Sequence, residues 1–293
     1  MPPQRQYRYD SEHIAGFYDE YGMREWDRLT ATPVDEINLH LHTHYLMQHI
    51  PAGAHVLEIG AGPGRFTQVL AHLGARIVVA DISAEQLTLN KQQAEQLGFS
   101  HAIEDWRQVD ICDLGGFAPC TFDRVVAYGG PLSYALDRRD AALAECIRVL
   151  KPRGTLLASV MSLWGTAHRV LDRVLEIPEA MGRKVVASGD LSPDTYGARG
   201  HYLHMFRASE FRAWLIQAGL TIITLSASNC LCTGWGGLLH EIRADEGRWN
   251  RLLRMELEAC AAAGSLDMGT HIIAVVKKQF DGEHRGVSYE GGH

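Results

Sequence analysis

The chain has 293 residues, of which 46% are hydrophobic and 22% charged, and its formal net charge is −7. A chain of this length can bury a full hydrophobic core, and the lack of any run of Lys or Arg argues against a surface for phosphate backbones. No window approaches the roughly 20 apolar residues of a membrane span, and the first residues lack the apolar stretch of a secretory signal. We expect a cytoplasmic globular protein that binds neither nucleic acid nor membranes; whether it forms a homo-oligomer stays open.

Cysteine and histidine spacing does not predict a metal site. The six cysteines are scattered, and the closest pair, Cys230 and Cys232, lacks the C-x-x-C spacing of a zinc motif. His40 and His44 share a helical face at ligand spacing, but no motif nearby completes a site. We predict reduced thiols and no bound metal.

Residues 1–54 precede the regular pattern of the chain and predict a helical cap. Within them, "TPVDEINLHLHTHYLMQHI" predicts a helix with Thr32 as N-cap and Pro33 at its first position. The segment "IAGFYDEYGMREW" places aromatic side chains, Tyr18 among them, ahead of the main domain.

Strand-like and helix-like segments alternate from residue 55 onward and predict an α/β domain over residues 55–278. "HVLEIG" and "RIVVAD" are typical of buried strands, and "RFTQVLAHLG" of a helix closed by Gly74. The next helix opens with Ser83 and Gln86 at capping-box spacing and ends at Gly98. With the later segments this gives about seven strands, in a mostly parallel sheet with helices on both faces.

Two long segments and the C-terminal tail do not follow the alternation. We predict a lid or substrate-binding insertion at 163–206, a second insertion at 229–269 and a disordered tail at 279–293. The first insertion contains glycines and aromatic residues that could hinge and close over a ligand. The aromatic residues expected to wall a substrate cavity are Trp164, Tyr196, Tyr202 and Trp235.

The stretch "VLEIGAGPGRF" carries the clearest binding signal. Gly60, Gly62 and Gly64 lie between a strand and a helix, where the missing Cβ atoms let a nucleotide-like ligand approach the backbone. A dinucleotide fingerprint would need glycine where this chain has Arg65, and a phosphate-binding Walker loop would need a G-K-[ST] ending. An acidic residue, Asp81, ends the second strand.

This combination resembles the class I S-adenosylmethionine-dependent methyltransferases, from about His55 to Met161. The resemblance implies a Rossmann-like fold, S-adenosyl-L-methionine as donor and S-adenosyl-L-homocysteine as product. It implies that Asp81 takes the ribose hydroxyls and that Asp110 receives the adenine amino group. The residues that it places around the donor are Tyr18, Glu58, Gly60, Gly62, Gly64, Asp81, Ile82, Asp110, Ile111 and Tyr128.

We expect a bacterial enzyme that methylates a small-molecule metabolite by in-line displacement, in which alignment and exclusion of water matter most. The acceptor atom is not encoded in a motif. If the reaction uses a base or a polar substrate contact, the candidates are His168, His201 and Tyr134.

Three other functions stay open. An enzyme of the same fold could catalyse an intramolecular displacement on the donor's own chain and release methylthioadenosine. Product analysis distinguishes this compound from S-adenosylhomocysteine. A nucleotide-sensing module would bind the donor without turnover. An NAD-dependent dehydrogenase is the third, and Arg65 counts against it.

Overall fold

The computed structural model describes residues 8–193 and 202–279. Its strands are β1 (His55–Ile59), β2 (Arg76–Asp81), β3 (Ile103–Gln108), β4 (Phe122–Ala127), β5 (Leu150–Met161), β6 (Asp190–Leu191), β7 (Leu203–His204), β8 (Leu220–Ala227) and β9 (His271–Lys278). Its helices of four residues or more are α1 (Ser11–Tyr21), α2 (Arg24–Arg28), α3 (Pro33–His49), α4 (Arg65–His72), α5 (Ala84–Gln96), α6 (Pro131–Tyr134), α7 (Arg139–Val149), α8 (Leu163–Arg169), α9 (Leu171–Glu176), α10 (Glu179–Ser188), α11 (Ala208–Gln217), α12 (Gly236–Ala244) and α13 (Glu246–Ala261).

Seven strands form one sheet in the order β3-β2-β1-β4-β5-β9-β8. The strands β1 to β5 run parallel, and β9 is antiparallel to both of its neighbours. The order reverses between β1 and β4, and such a switch point opens a crevice at the carboxyl ends of the strands. The predicted Rossmann-like sheet is thus confirmed, with β9 as its antiparallel member.

Helices cover both faces of the sheet. On one face, α3, α4 and α13 pack over β1, β2 and β9, and Leu41 and Ile273 are fully buried there. On the other face, α7 and α11 pack over β4 and β5, and Cys146 and Phe211 are fully buried. Because β1 and β2 are buried on both sides, they are apolar over most of their length, whereas the edge strand β3 is largely polar and partly exposed.

The predicted helix starts are observed where a side chain caps the helix. The Thr32 hydroxyl accepts a hydrogen bond from the backbone N–H of Asp35 at the start of α3, whose first residue is Pro33. The Ser83 hydroxyl accepts from the backbone N–H of Gln86 at the start of α5. Each bond satisfies one of the free N–H groups of a first helical turn.

The segments outside the alternation carry more regular structure than the pattern suggested. Residues 163–193 hold α8, α9 and α10, and the short pair β6 and β7 closes the region, whereas 194–201 lie outside the described residues. Within 229–269, α13 buries Trp249 and Cys260 beneath the sheet. Of the predicted disordered tail, 280–293 lie outside the described residues. None of the described helices is long and apolar enough to cross a bilayer.

Candidate functional site

A cavity of about 650 Å³, including its open mouth, lies at the switch point of the sheet. The loops after β1, β2 and β4 form its floor, and the N-terminal segment with α1 and α2 covers it. The lining residues are Tyr9, Ile14, Tyr18, Glu25, Ile59, Gly60, Gly62, Asp81, Ile82, Gln86, Val109, Ile111, Tyr128, Gly129, Pro131 and Tyr134.

The glycine loop after β1 forms a wall that is mostly backbone. Gly60 and Gly62 have φ angles of +67° and +54°, in the left-handed region that favours glycine. A Cβ on Gly60 would come within 3.2 Å of the Pro131 ring, so this position also needs glycine for the turn after β4 to approach. Gly64 is the N-cap of α4 and faces Asn90 rather than the cavity.

Asp81 supplies a buried carboxylate at the end of β2. Its oxygens accept hydrogen bonds from the backbone N–H groups of Gly62, at 2.8 Å, and Ser83, at 2.9 Å. Burial raises the pKa of Asp81 to about 6, with a further rise from Glu25, although the two N–H groups oppose it. The carboxylate therefore joins the first and second strand ends and faces the cavity.

An apolar slot follows β3. Ile82, Val109 and Ile111 line it, which suits the faces of a flat ring. Asp110, between the last two, does not line the cavity; its Oδ1 accepts hydrogen bonds of 2.7 Å from the Tyr9 hydroxyl and from the Cys112 N–H. Burial and, to a smaller extent, the hydrogen bond to Asp110 raise the pKa of Tyr9, so its hydroxyl keeps its proton.

The helices α1 and α2 are fastened over the cavity by polar contacts. The Gln86 amide donates to the carbonyls of Tyr18, at 2.9 Å, and Gly22, at 3.1 Å. Arg65 donates from Nε to the carbonyl of Trp26 at 2.9 Å, and its guanidinium lies 3.9 Å from the centre of that indole ring. The arginine that replaces a dinucleotide-type glycine thus anchors the cover.

Aromatic and charged side chains enclose the far end of the cavity. The rings of Tyr18 and Tyr134 meet edge to face with 5.8 Å between centroids. Glu25 also lines the cavity and pairs through both carboxylate oxygens with Arg28. Burial disfavours the charged guanidinium, but Glu25 outweighs it and raises the pKa of Arg28.

Glu58 lies beneath the glycine loop and does not line the cavity. It is fully enclosed, and its Oε2 accepts a 2.7 Å hydrogen bond from the Thr67 hydroxyl. Burial raises the pKa of Glu58 to about 8, with Thr67 opposing and the nearby Asp81 adding to the rise. At neutral pH the side chain is therefore mostly a neutral carboxylic acid.

The raised pKa of Glu58 makes folding stability pH-dependent. The folded-state pKa of about 8 exceeds the model-peptide value. The contribution of protonated Glu58 to the free energy of unfolding is therefore present at low pH and is lost as the pH rises to about 8. We expect the Tm of the donor-free protein to fall between about pH 6 and 8, and Glu58→Gln to flatten that fall. Calorimetry at several pH values measures it; exposed Glu95→Gln should keep the wild-type slope, and an unchanged slope in Glu58→Gln would contradict the assignment.

Seven of the ten predicted donor-site residues line this cavity; Glu58, Gly64 and Asp110 lie behind it. Of the predicted base candidates, Tyr134 lines the cavity, His168 is exposed on α8 and does not, and His201 lies outside the described residues. Of the four aromatic residues predicted to wall a substrate cavity, Tyr196 lies outside the described residues, and the other three do not line this cavity. Trp164 and Trp235 are 45% and 56% exposed, and Tyr202 stacks on His13 instead.

The lining residues that the sequence pattern did not single out are Tyr9, Ile14, Glu25, Ile59, Gln86, Val109, Gly129 and Pro131. Val109 and Gly129 could have been found, because they adjoin motif residues at strand ends. Tyr9, Ile14 and Glu25 come from the N-terminal segment, where no motif indicates which side faces the domain.

Comparisons with known proteins agree with this geometry. The family described as a methyltransferase domain matches residues 57–158, which contain β2 to β4 and most of β1 and β5. The ubiquinone biosynthesis O-methyltransferase of Xanthomonas campestris pv. campestris is 26% identical over 209 residues, which are 71% of this chain and 76% of that protein.

Two solved structures share the fold. The cyclase SpnF superposes with a TM-score of 0.59 at 19% identity, over 93% of this chain and 97% of its own. The second is the Burkholderia thailandensis 1,6-didemethyltoxoflavin-N1-methyltransferase, solved with 1,6-didemethyltoxoflavin and S-adenosylhomocysteine bound. It superposes with a TM-score of 0.57 at 15% identity, over 92% of this chain and 89% of its own.

The sheet order, the glycine loop and the acidic residue at the end of β2 define a Rossmann-like methyltransferase fold. Residues 57–158 therefore form a methyltransferase domain, and the methyltransferase relatives support a class I S-adenosylmethionine-dependent methyltransferase.

Proposed function

We propose that this enzyme methylates a small-molecule acceptor, with S-adenosylmethionine bound in the cavity at the switch point. The observation that carries the proposal is Asp81, a buried carboxylate that faces the cavity beside the backbone wall of Gly60 and Gly62. A carboxylate in this position can accept hydrogen bonds from two vicinal hydroxyl groups of a ribose.

The rest of the cavity fits a nucleoside that carries an amino-acid chain. The slot between Ile82, Val109 and Ile111 has the apolar surfaces that an adenine ring needs. Asp110 lies just behind that slot, and its shared Oδ1 leaves Oδ2 as the acceptor for an adenine amino group. Gly129 and Tyr18 bound the opposite end, where the methionine part would lie.

A small acceptor fits better than a macromolecule because the N-terminal helices cover the site. The α1 and α2 contacts described above hold these helices over the cavity and partly enclose it, and Tyr18 and Tyr134 meet at its far end. Enclosure keeps water away from the reacting sulfonium and helps align acceptor, methyl carbon and leaving sulfur. The named relatives, an O-methyltransferase and an N-methyltransferase, support the same class of acceptor. Closure of 163–206 over the donor stays a prediction.

Product analysis tests the proposal. We expect the enzyme, given S-adenosylmethionine and a bacterial metabolite extract, to form S-adenosylhomocysteine together with a methylated small molecule, both read by mass spectrometry. Asp81→Ala, expected to bind the donor more weakly, serves as the matched variant in which product formation should fall. Formation of methylthioadenosine, or binding without any turnover, would contradict methyl transfer and favour the alternatives left open by the sequence.

A further inference from the structure

The side-chain amide of Gln86 is oriented by the covering segment. Gln86 lies in the first turn of α5, is 1% exposed and lines the cavity at the switch point. Its Nε2 donates hydrogen bonds to the carbonyl oxygens of Tyr18, at 2.9 Å, and Gly22, at 3.1 Å. Because a carbonyl oxygen only accepts, the amide nitrogen must lie on this side and Oε1 on the other.

The oxygen of that amide is a buried acceptor. Oε1 of Gln86 has no hydrogen-bond partner among the described residues. Buried polar atoms in folded proteins are nearly always paired, because an unpaired one costs free energy. Oε1 lies 3.7 Å from the position that a Cβ would take on Gly62, in the backbone wall of the cavity. This acceptor therefore indicates a ligand group that carries a hydrogen-bond donor and lies against the wall.

Oε1 and the Asp81 carboxylate lie against the same glycine. Gly62 donates its N–H to Oδ2 of Asp81 at 2.8 Å, and Oε1 of Gln86 bounds the space in front of its Cα. Two acceptors beside one residue match a ligand with two neighbouring donors, which the vicinal hydroxyls of a ribose provide. A neutral amide oxygen suits a hydroxyl, whereas an ammonium group gains more from a carboxylate, and Glu25 offers one in the same cavity.

We propose that the ribose diol of S-adenosylmethionine is divided between two residues, with one hydroxyl donating to Asp81 and its neighbour to Oε1 of Gln86. This rests on the proposed function, which places the nucleoside in this cavity. Gln86 is then both a ligand-binding residue and a fastening of the cover, because the two ends of one planar amide serve the two contacts.

The shared amide couples ribose recognition to closure of the covering helices α1 and α2. A hydroxyl that donates to Oε1 restrains the amide and polarises its N–H groups, which strengthens their hydrogen bonds to the carbonyls of Tyr18 and Gly22. A nucleoside with the intact diol therefore holds α1 more firmly than one that lacks the hydroxyl. The closed cover thus selects a ribonucleoside over a deoxynucleoside.

A second fastening of α1 offers an internal comparison, because it does not face the ligand. The Asp19 carboxylate of α1 accepts hydrogen bonds from the Ser83 hydroxyl and from the Glu85 N–H at the start of α5. None of these three residues lines the cavity. Loss of this contact loosens the cover without removing an acceptor from the ribose.

The 2′-deoxy and 3′-deoxy analogues of S-adenosylhomocysteine test the assignment by isothermal titration calorimetry. We expect Gln86→Met to weaken S-adenosylhomocysteine binding about 10-fold. For one of the two analogues the loss should be only about twofold, because that ligand lacks the hydroxyl that Oε1 accepts. Asp19→Ala should lower the affinity by one common factor for all three ligands. Exposed Gln92→Met should match wild type, and Gln86→Leu repeats the comparison if the methionine variant does not fold.

Hydrogen exchange of α1 measures the effect on the cover. At saturating ligand, S-adenosylhomocysteine should protect the amides of Ser11–Tyr21 in the wild type more than the analogue that calorimetry singles out. In Gln86→Met the two ligands should protect these amides equally. Equal protection in the wild type would overturn the coupling to the cover.

The loss of affinity separates a ribose contact from a merely structural role. An equal loss with all three ligands in Gln86→Met would overturn the ribose contact, because a loosened cover does not depend on which hydroxyl is present. That result would leave the proposed function standing, since the nucleoside would still bind. Wild-type protein that binds none of the three ligands would overturn both the ribose contact and the proposed S-adenosylmethionine site.

Discussion

Asp81→Ala is expected to weaken the binding of S-adenosylhomocysteine on the order of 10- to 100-fold, because hydrogen bonds to a charged group contribute roughly 1.5 to 3 kcal/mol. The loss should exceed that of a ribose contact alone. The same carboxylate holds the N–H groups of Gly62 and Ser83, so its removal also releases the glycine loop from the end of β2. Isothermal titration calorimetry measures the affinity.

The ionisation of Asp81 gives this prediction a second readout. Its pKa of about 6 in the donor-free protein means that the carboxylate form, which accepts hydroxyl protons, is lost below about pH 6. Wild-type affinity should therefore fall as the pH drops through this range, and Asp81→Asn should lack that dependence. Asp105→Ala, at a partly exposed position on β3 that does not line the cavity, should bind as wild type does. Wild-type affinity in Asp81→Ala would place the ribose elsewhere.

Local sequence signals predicted the strands, helix starts and glycine loop that carry the site, because each signal acts within one turn or one strand. The Thr32 and Ser83 caps need only the next three residues, and an apolar run such as "RIVVAD" forms a buried strand wherever the sheet lies. The glycine spacing then locates the loop, since φ near +54° at Gly62 is strained for any other residue.

Tertiary contacts changed what a local rule predicts at Gln86. A full capping box would have its side chain return to the N-cap N–H of Ser83. Instead Asp81 takes that N–H, and the Gln86 amide donates to the carbonyls of Tyr18 and Gly22 on the covering segment. Half of the predicted motif is thus observed, and the other half holds α1 in place.

The walls of the cavity that come from distant segments could not be found from local patterns. Tyr9 bonds Asp110 across 101 residues, and Gln86 bonds the Tyr18 carbonyl across 68, so neither pair produces a periodicity or a motif. His168 illustrates the opposite case. Its residue type suggested a base, but α8 presents it to solvent.

The glycine at position 62 provides the second large expected effect. Its N–H donates to Asp81, and its carbonyl accepts from the Asn90 amide at 3.1 Å, so the backbone here is fixed on both sides. An added Cβ would lie 3.5 Å from Glu25 and 3.7 Å from Gln86, two walls of the cavity, which is ordinary contact distance in the donor-free protein. A larger side chain therefore fits only by occupying ligand space.

Gly62→Val should reduce S-adenosylhomocysteine binding by at least about 100-fold, a loss of roughly 2.7 kcal/mol, while the protein stays folded. The left-handed φ of +54° adds a strain of roughly 1–2 kcal/mol for a residue with a Cβ, so the Tm should fall by a few degrees as well. Gly98→Val separates the two effects, because Gly98 has a φ of +75°, is exposed and has no atom within 4 Å of an added Cβ. We expect the two variants to lose similar stability in thermal unfolding, and only Gly62→Val to lose the ligand in calorimetry. Equal affinity in the two variants would mean that the glycine loop serves the turn alone and that the donor binds elsewhere.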